Sequence, residues 1–337
     1  MATIKDVARL AGVSTATVSA TVNDTAYVSP ALKARVQQAV RSLGYAPSTV
    51  ARSLKIGVTK LIGLIVPDIT NPFFTELVHV LEIAAQKQGY TLLLCASDED
   101  VAREIGILRT LQMQRVDGVI LAPSGTLSDY RAAGLASYAA PLVLIDRTEP
   151  FFDADTVAVD NYAASLEATS HLIAHGHRRL ATIAGSSHVS TGADRLRGFK
   201  DALGRAGLSV DERLIRAGNF RQSDAYAACK DLFAQPEPPT AIYIANNLML
   251  VGAVCALADL GLACPDDISI VAMDDLPWMA AFSPKITVMR QPIRAMGEAV
   301  FEAMLRRLGA GGRKIESNLL MFKPDLVVRE SCRDLVA

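Results

Sequence analysis

TIKDVARLAGVSTATVSATVN, residues 3–23, is the stretch on which the reading of this chain turns. Ile4, Val7, Ala8 and Ala11 fall at the i, i+3, i+4, i+7 spacing of one helix face, and Thr3 with Asp6 three residues on is suited to cap that helix. Gly12 supplies a residue free to adopt positive φ, Val13 tucks inward, and Ser14 can accept from a following backbone N–H as the cap of a second helix. The second helix turns Val18 and Val22 inward and leaves Thr15, Ala16, Ser19 and Ala20 outside. Two short helices about a glycine turn predict a helix-turn-helix whose second helix enters the major groove of DNA, with a plain helical hairpin as the alternative.

Beyond this stretch Asn23-Asp24-Thr25 reads as a loop. Ser29-Pro30 then opens a third helix that carries Leu32, Val36, Ala39, Val40 and Leu43 and ends at Gly44. It gives the first two helices a surface to fold on. STVARSLKIG, residues 48–57, has a cap in Ser48 but is too short to hold as a helix alone in water. The 337-residue chain carries a net charge of −1, yet residues 1–58 hold seven basic side chains against two acidic ones, so +5 sits in front of −6. A small basic front on an acidic body matches a phosphate-contacting module joined to something else.

That body begins near residue 60, where apolar runs alternate with amphipathic helices. LIGLIVP (61–67), TLLLCAS (91–97), GVILAP (118–123), PLVLID (141–146) and TVAVD (156–160) read as strands, and RLATIAG (179–185), TAIYIA (240–245) and ISIVAM (268–273) repeat the rhythm. Near-continuous apolar strands between helices argue for parallel sheets covered on both faces, in two α/β units of similar size. ITVMRQP, a helix over 292–308 and a closing strand pair follow. Such units bind small ligands beyond the carboxyl ends of their strands. Five scattered cysteines without a CxxC pair speak against a disulfide framework or zinc site, and the N-terminus has no signal-peptide pattern, so a cytoplasmic protein is expected.

TIKDVARLAGVSTATVS, YVSPALKARVQQAVRSLGYAPS, VARSL and LIGLIVPDITNPFF, in that order, resemble the lactose/galactose repressor family of transcription regulators. The resemblance implies a ligand-responsive DNA-binding regulator, a repressor of carbohydrate (sugar or sugar-acid) uptake or catabolism genes released from a pseudo-palindromic operator by its effector. The alternatives are a corepressor-type regulator, or a sugar-binding protein without a DNA role. It implies an N-terminal all-α helix-turn-helix domain over 1–46 and a hinge helix over 47–58. A two-lobed α/β body like the type I periplasmic sugar-binding proteins follows, with lobes at 59–160 plus 290–321 and 161–289 plus 322–337. DNA contacts are carried over to Thr3, Ser14, Thr15, Ala16, Thr17, Ser19, Ala20, Asn23 and Tyr27, and in the hinge to Ala51, Arg52, Leu54 and Lys55. Leu54 is the apolar side chain expected to wedge into the minor groove.

Effector contacts fall on polar and aromatic residues past the strand ends, where a sugar-like ligand finds acceptors, donors and an aromatic face. These are Asp68, Asn71, Phe73, Phe74, Asp146, Arg195, Asn246 and Asp274, with Arg147 beside them and Trp278 as a second wall; the resemblance implies Phe220 as a further aromatic residue lining the same pocket. His171, His175 and His177 have no accompanying carboxylate or cysteine and suit a helix C-terminus better than a metal. Asp98, Glu99 and Asp100 read as acids at a helix start. No catalytic motif and no cofactor site is expected, so the protein is read as a non-enzyme. The chain departs from the family at Ala20, where Arg is usual after TVS, at Asn247 and at Met273. With no segment to form tetramers after the body, a homodimer is the expectation.

Overall fold

A computed structural model describes residues 2–24, 26–45, 58–135, 138–148, 153–281, 283–313 and 315–335, which divide into a front unit up to Thr59 and a body from Lys60. The expected hinge, with Ala51, Arg52, Leu54 and Lys55, lies outside the described residues.

In the front unit, α1 (Ile4–Ala11) starts with a reciprocal cap: Thr3 N donates to Asp6 Oδ2 at 3.0 Å and Asp6 N to Thr3 Oγ1 at 3.4 Å. Gly12 ends it at φ 61°, and a β-carbon there would lie 2.6 Å from the Arg35 guanidinium, which donates to the Ala11 carbonyl at 2.5 Å. The positive φ at this turn favours glycine. α2 (Thr15–Asn23) is capped by Ser14, whose Oγ accepts from Thr17 N at 3.1 Å, and α3 (Pro30–Leu43) stops at Gly44 with φ 56°. Asn23, expected in a loop, is the last residue of α2. Val7, Ala8, Ala11, Val18, Val36 and Ala39 form the core. Val40 and Tyr45 continue it at the end of α3, whereas Leu43, expected inside, is 36% exposed.

The body runs β1 (Leu61–Val66), α4 (Pro72–Lys87), β2 (Thr91–Ala96), α5 (Val101–Met113), β3 (Gly118–Leu121), α6 (Leu127–Ala132), β4 (Leu142–Asp146) and β5 (Asp155–Val159). It continues α7 (Asn161–Ala174), β6 (Leu180–Ala184), α8 (Ser190–Arg205), β7 (Ile215–Ala217), α9 (Gln222–Phe233), β8 (Ala241–Ile244), α10 (Asn247–Leu260), β9 (Ser269–Met273) and β10 (Thr287–Arg290). Then come α11 (Ile293–Gly309), β11 (Leu319–Phe322) and β12 (Asp325–Val327). α6 escaped the sequence reading because six residues are too few to show a period.

Two six-stranded sheets result, ordered β11-β5-β4-β3-β1-β2 and β12-β10-β9-β8-β6-β7. All pairings are parallel except that of β12, which lies antiparallel to β10 at one edge. β1 and β6 each sit one strand in from an edge, in the 2-1-3-4-5 order of a doubly wound sheet, whose switch point opens a crevice at the carboxyl ends. The expected closing strand pair is two edge strands of different sheets: β11 joins β5 and β12 joins β10. Local alternation is the same for either pairing, so the sequence could not separate them. α11 lies on α4 and β4 although β10 before it is in the second sheet, so the chain passes between the sheets three times. Among the described residues no helix is long and apolar enough to cross a membrane.

Candidate ligand cleft and nucleic-acid interface

A cavity of about 390 Å³ gathers residues from both sheets. Nine of the ten proposed effector residues line it: Asp68, Asn71, Phe73, Phe74, Asp146, Arg195, Phe220, Asn246 and Asp274. Trp278, expected as a second wall, is not among the lining residues. Past Asp274 the turn Pro277–Ala280 buries Leu276 and Met279 and carries the indole onto the apolar core.

Backbone geometry aims these side chains. Of nine non-glycine residues with positive φ among the described residues, six line the cavity: Asp98, Glu99, Asp146, Asn219, Phe220 and Asp274. Such conformations are costly and persist where the surroundings impose them, commonly at ligand sites. Gly185, after β6, leaves room for the Phe220 ring, which would lie 2.1 Å from a β-carbon there.

The two buried arginines of the cavity are held differently. Arg147 makes a two-pronged pair with Glu99, Nη1 to Oε2 at 2.8 Å and Nη2 to Oε1 at 2.5 Å, and also donates to the Pro123 carbonyl at 3.0 Å. Its guanidinium lies 5.8 Å from the centre of the Phe220 ring. Glu99 is therefore a cavity residue rather than a helix-start acid; Asp100 alone caps α5, accepting from Ala102 N at 2.8 Å. Arg195 donates through Nε to Asn161 Oδ1 at 2.8 Å and through Nη1 to the Ala245 carbonyl at 2.6 Å. No described carboxylate pairs with it within ion-pair distance, and its Nη2 has no described partner.

Asp146 is the complementary acceptor. It is 6% exposed, lies 3.8 Å from Arg147 Nε, and accepts no hydrogen bond from a described residue. Burial raises its pKa to about 6, with Arg147 and Arg195 drawing it down and Asp274 and Glu99 adding to the rise. Asn246 caps α10 through Oδ1, which accepts from Met249 N at 2.8 Å, and its Nδ2 has no described partner. Thr70, Thr191, Asn219, Arg221 and Gln291 also line the cavity and were not singled out from sequence, and Asp98 and Glu99, read there as helix-start acids, line it too. The strand-end rule reached Asp68 and would have reached Asp98 and Glu99 after β2.

The histidines at 171–177 are structural. His177 bridges Thr240 Oγ1 at 3.0 Å and Ser269 Oγ at 2.9 Å, and the His171 and His175 rings lie 4.3 Å apart. Among the described residues no three His, Cys, Asp or Glu are grouped to hold a metal.

In the front unit, α2 carries no charged side chain. Ser14 and Thr17 share a hydroxyl contact of 2.9 Å, and Asn23 Nδ2 returns to the Ser19 carbonyl at 2.9 Å, so these three serve the helix. Thr15 and Ala16 stand exposed, Ser19 and Ala20 half-buried, and Tyr27 is 91% exposed. Arg9 is paired with Asp6, Lys33 with Asp24, and Arg35 with the turn carbonyls. Few cations on these three helices are therefore free for phosphates. Ala20→Arg is expected to steepen the dependence of log affinity for DNA on log salt by roughly 0.9, the value of one added phosphate contact. An unchanged slope in a fluorescence anisotropy titration would place Ala20 away from the backbone.

Comparison with known proteins agrees along nearly the whole chain. The family model for bacterial regulatory proteins of the lacI family matches residues 3–48, and that for periplasmic binding proteins and the sugar binding domain of the LacI family matches residues 59–323. The HTH-type transcriptional repressor PurR of Photobacterium profundum is 36% identical over 99% of this chain and 100% of its own length. PurR of Pectobacterium atrosepticum is 35% identical, over 99% and 98%. The lac repressor dimer, solved with operator and the anti-inducer ONPF, superposes with a TM-score of 0.85 at 26% identity, over 98% of this chain and 99% of that one. The transcriptional regulator CelR, in complex with cellobiose, gives 0.72 at 31% identity, over 98% and 100%.

Proposed function

This chain belongs to the lacI family of bacterial regulatory proteins and is a ligand-responsive DNA-binding repressor of that kind; we propose that its effector is a small, polar ring compound, in the first place a carbohydrate or sugar acid, and that the effector releases the DNA. The observation that carries this reading is the set of unoccupied groups in one cavity. Asp146 has a carboxylate to accept, Arg195 and Asn246 have N–H groups to donate, and Phe73, Phe74 and Phe220 supply apolar faces. A sugar ring presents hydroxyls at its rim and C–H faces above and below, which such a site fits. A planar nitrogen heterocycle is the second reading, favoured by Asp146 as acceptor for a ring N–H; nothing in the names of the two PurR relatives points to a sugar.

In this account the lobes are 59–160 plus 290–321 and 161–289 plus 322–337, and two copies present paired helix-turn-helix units to a pseudo-palindromic site in the cytoplasm. Ligand closing the cleft changes how the first lobes meet and unsettles the hinge. For a corepressor the sign reverses. Leu54→Ala is expected to weaken specific binding by tenfold or more and non-specific binding little, because an apolar wedge acts only where the duplex is kinked. Equal losses in competition titrations would remove the wedge.

A thermal-shift screen of the full chain against sugars, sugar acids, sugar phosphates and nucleobases tests the effector class, and no shift from any of them would overturn it. For a ligand that donates to Asp146, affinity should fall by up to about tenfold per unit as pH drops below about 6, where the carboxylate takes up a proton. A pH-independent affinity from about 7 to 5 would take Asp146 out of the contact. In the free protein the sign is opposite: the raised value favours the folded state at low pH, an advantage lost as pH rises through about 6.

A further inference from the structure

The two carboxylates of the cavity are not equivalent. Asp146 accepts from no described residue, whereas both oxygens of Asp274 are taken. Asp274 Oδ2 accepts from Asn247 Nδ2 at 2.8 Å and from Asn247 N at 3.3 Å, and Oδ1 accepts from Gln291 Nε2 at 2.6 Å. The same Asn247 Nδ2 donates to Asn71 Oδ1 at 2.8 Å. Asn71 caps α4, which follows β1 of the first sheet; Asn247 opens α10 and Asp274 follows β9, both on the second; Gln291 lies where the chain leaves β10 for α11. All four side chains are buried.

We propose that Asn247 is a positioning residue, a neutral donor bridge that ties one lobe to the other through Asn71 and fixes Asp274, so that Asp146 is left as the principal acceptor for ligand. The chemistry requires an amide. One Nδ2 carries two hydrogens, and here it meets two acceptors, a carboxylate and an amide oxygen. Asn71 cannot turn its amide round, because Oδ1 also accepts from Phe73 N at 3.0 Å. Asn247 Oδ1 is buried without a described partner, so it is the donor end of this side chain that the site uses. A carboxylate at 247 would set acceptor against acceptor on both sides, with like charge beside Asp274. Separating the lobes then means breaking a buried bond at the cavity itself.

The proposal rests on the two-lobed division above but not on the identity of effector or operator, and its test uses neither. Hydrogen exchange is followed by mass spectrometry on the full chain, as Asn247→Asp and as Asn247→Asp with Asp274→Asn. In the double variant residue 274 can donate to residue 247, which restores the side-chain pair but leaves the backbone N–H of residue 247 without that acceptor, while the carboxylate still opposes Asn71. The single variant should exchange at least tenfold faster in peptides covering 69–75, 247–250 and 274–276. The double variant should recover 247–250 and 274–276 but not 69–75. Unchanged exchange at 69–75 in the single variant, or its full recovery in the double, would overturn the bridge between lobes. If Asn247→Asp does not fold, Asn247→Ala removes the donor without adding charge; 69–75 should again exchange faster, and no change there would be equally decisive.

Discussion

Arg195→Leu is expected to lower affinity for the cleft ligand by at least about a hundredfold while leaving operator binding within a few fold. The guanidinium is buried, held on one edge by Asn161 and the Ala245 carbonyl, with its remaining amino group unoccupied. A hydrogen bond to a charged group contributes roughly 1.5–3 kcal/mol, and the anchored fork needs little ordering to make one or two. Leucine removes the donors, leaves two buried acceptors unmatched, and takes away one of the two cations that restrain the Asp146 pKa, so that carboxyl rises further. Lysine should not rescue, since one ammonium cannot span both anchors and the ligand. Calorimetry with a ligand from the thermal screen reads this directly. A loss below tenfold would reduce Arg195 to a brace within the second lobe.

A chain starting at residue 59 should lose operator binding by a thousandfold or more and keep its ligand. Residues before Lys60 form a unit with a core of their own, and they carry the exposed face of α2 and a net charge of +5. The body holds the whole cavity. Phosphate contacts dominate affinity for DNA, so a body left with net negative charge has no means to replace them. Operator affinity retained in that truncation would contradict this division of labour.

Both outcomes lean on features that differ in how far a sequence exposes them. Caps are local: Thr3 with Asp6, Ser14 with Thr17 and Gly12 at the turn depend on neighbours three or four residues away, and the structure builds them as the spacing predicts. Apolar runs such as LIGLIV and LVLID are legible as buried parallel strands because both faces are covered. The polar residues after them are legible as a group, since strand ends converge. What stays hidden depends on long-range placement. β11 and β12 join different sheets through a two-residue link. Glu99 meets Arg147 across 48 positions, and Asn247 meets Asn71 across 176. Positive φ at Asn219 and Phe220 leaves no periodic trace. Trp278 follows Asp274 closely in sequence, yet its own turn sets it against the apolar core.

The central claim is that one chain couples a ligand in this cleft to an operator. The full-length protein can select its site from a pool of random duplexes, and a ligand found by thermal shift can then be titrated into that complex. A pseudo-palindromic site is expected, with an affinity that changes by tenfold or more when the cleft is filled, downward for an inducer and upward for a corepressor. A pool with no enriched sequence, or a ligand that binds the cleft and leaves operator affinity unaltered, would contradict it.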